Sequence, residues 1–356
     1  MQELDVIIVG AGPAGASCAK ALNVEGLDVL VLEKHALPRY KTCSGILLGQ
    51  TQELLLRHFG KSAPDEVHCQ GERHINADDI LEWSPGHGYV PYVWELDKDG
   101  HSFPRIYQNI WRDKFDKWLL DESGAAWLDG QRVTDFEVKG EQVHVRAQTA
   151  NGDETTEYRC RYLVGADGNA SVVRRTLSAS APQAGEASPK LAVLQSYFKI
   201  GSRGTLKAGE WLVFFVPGIG DILSCVHQKD DYLVLHVGGL RGLNLRDAME
   251  KFKKFLFDNF DLRVGDWWRD EGCQIDLAPP FLGEGRTLLT GEAGGFMYLN
   301  GEGISAAIDS GYRCGKAIAQ ALRQGTAALP LYTDTTRDLI AHVRKCVDNA
   351  RFFVPR

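Results

Sequence analysis

The sequence has no stretch of about 18 uncharged apolar residues, so it predicts no membrane-spanning helix. Its eight cysteines are scattered, with no Cys-x-x-Cys pair and no Cys/His cluster at zinc spacing. That excludes a structural zinc site and reads as the reduced thiols of a cytoplasmic protein. Positive charge is not in excess: 40 Lys and Arg stand against 47 Asp and Glu, a net charge of −7, so no nucleic-acid partner is expected. The first residues carry Glu3 and Asp5 in place of a basic region, so no secretory leader is expected. There is no internal repeat and no low-complexity tract. What remains is an ordinary globular composition, 44% hydrophobic and 24% charged over 356 residues. It suffices for one large domain or two interleaved ones.

The most informative feature is the run Leu4-Asp5-Val6-Ile7-Ile8-Val9-Gly10-Ala11-Gly12-Pro13-Ala14-Gly15. An apolar strand enters a glycine turn and then a helix, the pattern of a dinucleotide-binding turn. Gly10 permits the tight turn, Gly12 lets a pyrophosphate approach the backbone, and Gly15 lets the helix pack on the strand. Phosphates then lie at the helix N-terminus, over its free N–H groups. A second apolar strand, Asp28 to Leu32, ends in Glu33. An acid about 20 residues beyond the turn is placed to bind a ribose diol.

Two more glycine clusters follow strands and precede helices. One is Gly165-Ala166-Asp167-Gly168 after Arg161–Val164. Asp167 there is either a cofactor-side acceptor or a plain helix cap. The other is Gly291-Glu292-Ala293-Gly294-Gly295 after Arg286–Thr290, followed by Gly301-Glu302-Gly303-Ile304 and a helix to about Arg323. Between them, periodicity predicts helices over 50–59, 107–122 and 246–261. It predicts strands at 143–146, 191–198, 211–216 and 232–237. Nucleotide-binding pieces therefore stand at the start, middle and end, with strand-rich blocks between them.

These three clusters, with Pro38-Arg39-Tyr40-Lys41-Thr42-Cys43-Ser44-Gly45 and Arg112-Asp113-Lys114-Phe115-Asp116, resemble the geranylgeranyl reductase family. Its members are FAD-dependent oxidoreductases of the p-hydroxybenzoate-hydroxylase-type fold, and the resemblance spans residues 1 to 325. It implies an α/β fold in which a Rossmann-type FAD-binding domain (1–72, 105–185 and 272–330) is interleaved with a smaller α+β substrate domain. The substrate domain (73–104 and 186–271) is expected to be built on a mixed or antiparallel sheet. A C-terminal helical tail takes 331–356.

For the cofactor FAD, the resemblance implies a site of Gly10, Gly12, Pro13, Ala14, Gly15, Glu33, Lys34, Arg39, Cys43, Ser44, Gly45, Arg112 and Val133. Asp167, Gly168, Gly291, Glu292, Gly294, Gly295, Gly301, Gly303 and Ile304 complete it. Cys43 matches a family cysteine close to the isoalloxazine and is the candidate catalytic residue, either as proton donor or as a packing contact. The chain departs from the family at three places: Gly-Glu at 291–292 for Gly-Asp, Cys-Ser-Gly at 43–45 for Cys-Gly-Gly, and Ile222–Lys229 where an aromatic prenyl-binding motif belongs.

The expected reaction is reduction of C=C bonds in a hydrophobic, isoprenoid-like or lipid substrate by hydride from reduced flavin. Electrons would come from an external donor, NAD(P)H or a redox protein. The alternatives are a flavin-dependent monooxygenase acting on an aromatic small-molecule or protein-bound substrate, and a non-catalytic FAD-binding partner. The Trp-x-Trp-x-Ile-Pro signature of flavin halogenases is absent. Tyr89, Tyr92, Trp94, Phe103, Trp211, Phe214 and Phe215 are expected as core or as pocket lining. His227 and His236 are expected as structural histidines or as an acid and a base. Residues 313–356 hold eight Lys and Arg against three Asp. With the apolar stripe Leu339, Ile340, Val343, Val347, Ala350 and Phe353, they predict a helix that packs on the FAD domain or makes peripheral membrane contact.

Overall fold

The computed structural model describes residues 3–350 except 72, 77–79, 85–87, 92–105, 181–189, 222–223, 277–278 and 299–301. The chain begins with β1 (Glu3–Val9), α1 (Pro13–Val24), β2 (Val29–Leu32), β3 (Ile46–Leu47) and α2 (Gly49–Phe59). Next come β4 (His74–Asn76), β5 (Ile80–Ser84), β6 (Gly88–Pro91), β7 (Ile106–Asn109), α3 (Arg112–Ser123) and β8 (Ala126–Leu128). Then follow β9 (Gln131–Lys139), β10 (Gln142–Thr149), β11 (Thr155–Gly165), α4 (Val172–Ser180), β12 (Lys190–Ser202) and β13 (Trp211–Phe214). After β14 (Ser224–Lys229), β15 (Tyr232–Leu240), α5 (Leu245–Phe260) and β16 (Arg263–Asp276), the chain closes with β17 (Gly283–Glu284), β18 (Thr287–Leu289), α6 (Ile304–Gln324), α7 (Ala328–Thr335) and α8 (Arg337–Ala350).

The first sheet has β17-β18-β11-β1-β2-β8 in order, and β1 runs parallel to both β2 and β11. Val6–Val9 of β1 and Val29–Leu32 of β2 read as continuous apolar runs because both their faces are covered. The start of β11 pairs with β10, and its end, Leu163–Gly165, pairs with β18. The second and third glycine clusters are thereby carried to neighbouring strand ends beside the first. Helix α1 crosses α6 at close range. A Cβ on Gly311 would stand 2.2 Å from the Ala14 carbonyl oxygen, and one on Gly315 2.6 Å from that of Cys18. These glycines fix the spacing of the two helices that flank the turn.

The second sheet has β16-β12-β15-β14-β13-β5-β6 in order. One face carries Phe198, Leu212, Phe214, Val226, Leu233, Leu235 and Val237 against Ala248, Met249, Phe252 and Leu256 of α5. Helix α5 is capped by Asn244, whose side chain accepts the Asp247 N–H. Among the expected pocket aromatics, Phe214 lies in this core, behind the sheet, while Trp211 lies on the other face with Val213 and Cys225. The side chains of Tyr89, Tyr92, Trp94 and Phe103 fall outside the described residues.

Some predicted bounds shift. The helix expected from residue 107 begins at Arg112, because Ile106–Asn109 alternates in burial and pairs with β3 and β4. The strand expected over 211–216 ends at Phe214. Strand β16, which periodicity does not predict, runs through the predicted domain boundary at 272. Leu339, Val343 and Cys346 of α8 are buried in the main core, so that part of the apolar stripe serves packing. No helix among the described residues is long and apolar enough to cross a membrane.

Candidate active site

The turn after β1 has the form its glycines predict. Gly10 has φ +105°, and a Cβ there would lie 2.5 Å from the Ala166 oxygen, so the first and second clusters touch. A Cβ on Gly15 would stand 1.9 Å from the Gly10 oxygen. In front of Gly12 such a Cβ would meet, among the described residues outside its own turn and helix, only Arg39 Nη2 within 4 Å, at 3.6 Å. Helix α1 starts with Pro13, has no side-chain cap and no acid in its first turn. Its first N–H groups therefore face an open space under one guanidinium, a fit for a pyrophosphate.

Glu33 is buried. Its Oε2 accepts the Ala11 N–H at 3.0 Å and its Oε1 the His35 N–H at 3.1 Å. Arg39 bridges Glu33 (3.2 Å) and Asp116 (3.1 Å), and Arg112 clasps Asp116 through Nε and Nη2 at 2.8 and 3.0 Å. Burial works against the charge of Arg112, yet Asp116 and the Cys43 sulfur beside it hold its pKa above the ordinary value. Lys34 is exposed, and Val133 lies in a separate core under β9, with Val143, Val145 and Leu163.

Asp167 Oδ2 accepts the Val172 N–H at 2.7 Å, so it caps α4, while its buried Oδ1 has no partner among the described residues. Burial raises its pKa. Glu292 lies in the turn Gly291–Gly294, and a Cβ on Gly168 would stand 3.7 Å from its Oε2. The second and third clusters therefore meet as well. Burial raises the Glu292 and Glu302 carboxyls. Glu302 Oε1 accepts the Ser305 N–H at 2.9 Å and its buried Oε2 has no partner among the described residues. One donor at the start of α6 is thus already taken by this chain. Gly303 caps α6 and Ile304 begins it; Gly301 lies outside the described residues.

Beside Cys43 lies a narrow cleft open to solvent, with room for about one water-sized sphere in this structure, about 10 Å³. Tyr40, Lys41, Ile110, Trp111, Arg112, Asp113, Tyr197, Lys229, Arg269 and Glu271 line it with Cys43. Cys43 Sγ accepts the Gly45 N–H at 3.4 Å. Gly45 has φ +67°, and a Cβ there would lie 2.3 Å from the Ile110 oxygen and 2.7 Å from Lys229 Nζ. Only glycine closes this turn over the lysine.

The cleft's far wall belongs to the face of the second sheet opposite α5, which elsewhere packs Trp211, Val213 and Cys225 against Ile46, Ile75 and Tyr107. In register, Cys225 faces His236, His236 faces Gln195, Gln195 faces Glu271, and Tyr197 faces Arg269. Gln195, Tyr197, His227, Lys229 and His236 on this face are buried, beside the apolar Trp211, Val213 and Val234. Arg269 pairs with Glu271 at 2.7 Å and lies 4.0 Å from the Tyr40 ring, 4.5 Å from Tyr197 and 4.2 Å from Trp268. Burial raises the pKa of Glu271 and of Tyr197. His227 and His236 stack at 5.4 Å, and both His227 nitrogens lack a partner among the described residues. Burial keeps both neutral, His236 with a pKa of about 3.

Three consecutive residues at the β14 end are stitched to three on the first-domain side. The Gln228 carbonyl accepts from Asn109 Nδ2 (2.8 Å), Lys229 Nζ donates to the Ile110 carbonyl (2.5 Å), and Asp230 Oδ2 accepts from Trp111 Nε1 (3.0 Å). The seam fixes the cleft's floor. The sequence reading missed Lys229, Arg269, Glu271, Tyr197 and Trp111. The available signal was polar residues at a two-residue period, 195 and 197, 227 and 229, 269 and 271, inside otherwise strand-like runs.

Residues 3–218 match the family model described as FAD binding domain. The chain belongs to that family. Its cofactor is FAD. An uncharacterized protein of Methanosarcina barkeri is 25% identical over 334 residues, covering 91% of this chain and 77% of its own length. A menaquinone reductase of Mycobacterium tuberculosis is 32% identical over 177 residues, 49% of this chain and 40% of the relative. A solved geranylgeranyl bacteriochlorophyll reductase-like protein of Thermoplasma acidophilum superposes with TM-score 0.80 at 17% identity, covering 100% of this chain and 89% of the other. Aklavinone-11 hydroxylase superposes with TM-score 0.70 at 22% identity, covering 93% of this chain and 65% of the hydroxylase. The flavoprotein thus has the fold of reductases and hydroxylases alike, and the fold does not choose the reaction.

The residues at the turn suit the cofactor. The open, uncapped α1 terminus, the cation above it and the buried acid beside it fit the adenosine diphosphate half. A glutamate at 33 stripped of its charge is expected to show what that acid does. In Glu33→Gln, Arg39 and the Ala11 N–H lose a carboxylate, and FAD retention should fall by about tenfold to a hundredfold in Kd, since hydrogen bonds to charged groups contribute about 1.5–3 kcal/mol. Equilibrium dialysis of FAD against the apoprotein reads this directly.

Proposed function

We propose that this flavoprotein is a reductase that saturates a C=C bond of a hydrophobic substrate. The observation that carries the reading is the cleft beside Cys43, where a thiol, a tyrosine and a glutamate with a raised pKa line the wall. Adding hydrogen across a C=C bond takes a hydride and a proton, and such a wall supplies the proton. Tyr40, Trp111 and Tyr197 line the same cleft and give the apolar contact that orients the substrate.

In this reading Gly10 to Gly15 and Glu33 hold the adenosine diphosphate half of FAD, with Arg39 above the pyrophosphate. Asp167, Gly168, Gly291, Glu292, Gly294 and Gly295 line the remainder. Reduced FAD supplies the hydride. Cys43 donates the proton, Arg112 keeps positive charge next to its sulfur, and the seam at Lys229 and Asp230 holds Trp111 in place. An external donor, NAD(P)H or a redox protein, restores the reduced cofactor.

The test is anaerobic. Photoreduced holoprotein is mixed with short prenyl compounds, prenylated quinones and enones, and reoxidation is followed in the flavin spectrum with product mass. Cys43→Ser should retain FAD and slow reoxidation by about a hundredfold, the low end of general acid–base contributions. Oxygen uptake coupled to substrate hydroxylation, with no reoxidation by any alkene, would replace this reading by a monooxygenase.

A further inference from the structure

Lys229 is buried at 1% exposure, yet no carboxylate lies within ion-pair distance of it among the described residues. Its neighbours are the Ile110 carbonyl at 2.5 Å, Cys69 Sγ at 3.9 Å and the Trp111 ring at 5.1 Å. An ammonium has three donors, and these contacts use two. The two cleft guanidiniums are matched, Arg112 by Asp116 and Arg269 by Glu271, and Lys41 is exposed to solvent. A buried charge without an anion is costly unless one arrives with a ligand. Lys229 borders the cleft beside Cys43, under a glycine turn that leaves the ammonium uncovered by any side chain at position 45.

We propose that Lys229 is an oxyanion-binding catalytic residue, taking the oxygen of a substrate whose reducible C=C bond is conjugated to a carbonyl, an enone or quinone-like head. The inference rests on the reductase reading and names its substrate class. The carbon β to the carbonyl accepts a hydride from reduced FAD, which is oxidised by two electrons. The C=C electron pair moves to the oxygen, whose charge Lys229 holds. The α carbon then takes the Cys43 proton as the carbonyl re-forms, and water restores the thiol. Isolated prenyl double bonds, with no oxygen to hold, are poor substrates by the same argument.

The test uses FAD-loaded protein and para-chlorophenol, which carries the oxygen but no reducible C=C bond, with para-chlorotoluene as its apolar counterpart. Binding is read from the flavin spectrum. In Lys229→Met the phenol Kd should rise by about tenfold or more, a difference of about 1.4 kcal/mol, while para-chlorotoluene binding and FAD content stay as in the wild type. Lys229→Gln, which keeps a donor to the Ile110 carbonyl, decides by the same criterion should the methionine variant lose FAD. No phenol binding by the wild type, a Kd within about twofold of wild type in both variants, or equal weakening of both probes overturns the assignment. Failure of every alkene to reoxidise a protein that binds the phenol through Lys229 overturns the reductase reading instead.

Discussion

Gly15→Ala is expected to give a protein that melts earlier and holds no FAD. The added methyl would stand 1.9 Å from the Gly10 oxygen, 3.1 Å from its carbon and 3.3 Å from Ile8 Cγ2. Backbone cannot yield as a flexible side chain does, so α1 must lift off β1. Lifting is blocked on the other side, because Gly311 of α6 lies against the Ala14 backbone, with room for no Cβ. Overpacking of this kind costs about 3 kcal/mol, and the displaced N-terminus of α1 no longer meets the phosphates. Thermal unfolding and the flavin-to-protein absorbance ratio check both parts. Gly12→Ala is the contrast: its Cβ meets only Arg39 Nη2 at 3.6 Å. The Gly12→Ala apoprotein should melt like the wild-type apoprotein and still fail to hold FAD, because the methyl enters the space a pyrophosphate needs. A Gly15→Ala protein with full FAD content would contradict the packing argument.

The stacked pair His227 and His236 should make the second sheet acid-sensitive. Both have a folded-state pKa below the ordinary 6.5, chiefly through burial, with Lys229 adding repulsion. The unfolded chain takes up protons near pH 6.5 that the folded chain refuses, so stability is full above that pH and falls below it. Two such groups give a slope of up to about 3 kcal/mol per pH unit. Glu271, Glu292 and Glu302 are shifted the other way, their folded forms taking protons first. The readout is therefore the difference between wild type and His227→Leu/His236→Leu in urea unfolding at about pH 7 and about pH 5. The wild type should lose several kcal/mol relative to the double variant between these pH values. Equal losses in both proteins would mean the histidines titrate normally.

The cofactor half of the site was legible in the chain because its logic is local. Gly10, Gly12 and Gly15 act within one turn, and Glu33 stands one strand further on, so spacing alone encodes the geometry. Gly168 and Glu292 were legible for the same reason, each following its own strand. The cleft was not legible, since its residues come from strands far apart in sequence. Gln195 and Glu271 face each other only through the β12–β16 register, and Trp111 is placed by Asp230, 119 residues away. Strand β16 was missed outright. As an edge strand with Asp266, Arg269, Asp270 and Glu271 in its middle, it lacks the apolar run by which the other strands were found. The basic tail posed a choice between packing and a membrane surface; Leu339, Val343 and Cys346 are occupied by core contacts.

The two-faced second sheet separates two selective pressures on one strand. Phe198, Val226 and Leu235 answer to α5, while Tyr197 and Lys229, at alternate positions, line the cleft. A change of side chain at Tyr197 therefore reshapes the cleft wall without removing a contact of the α5 core.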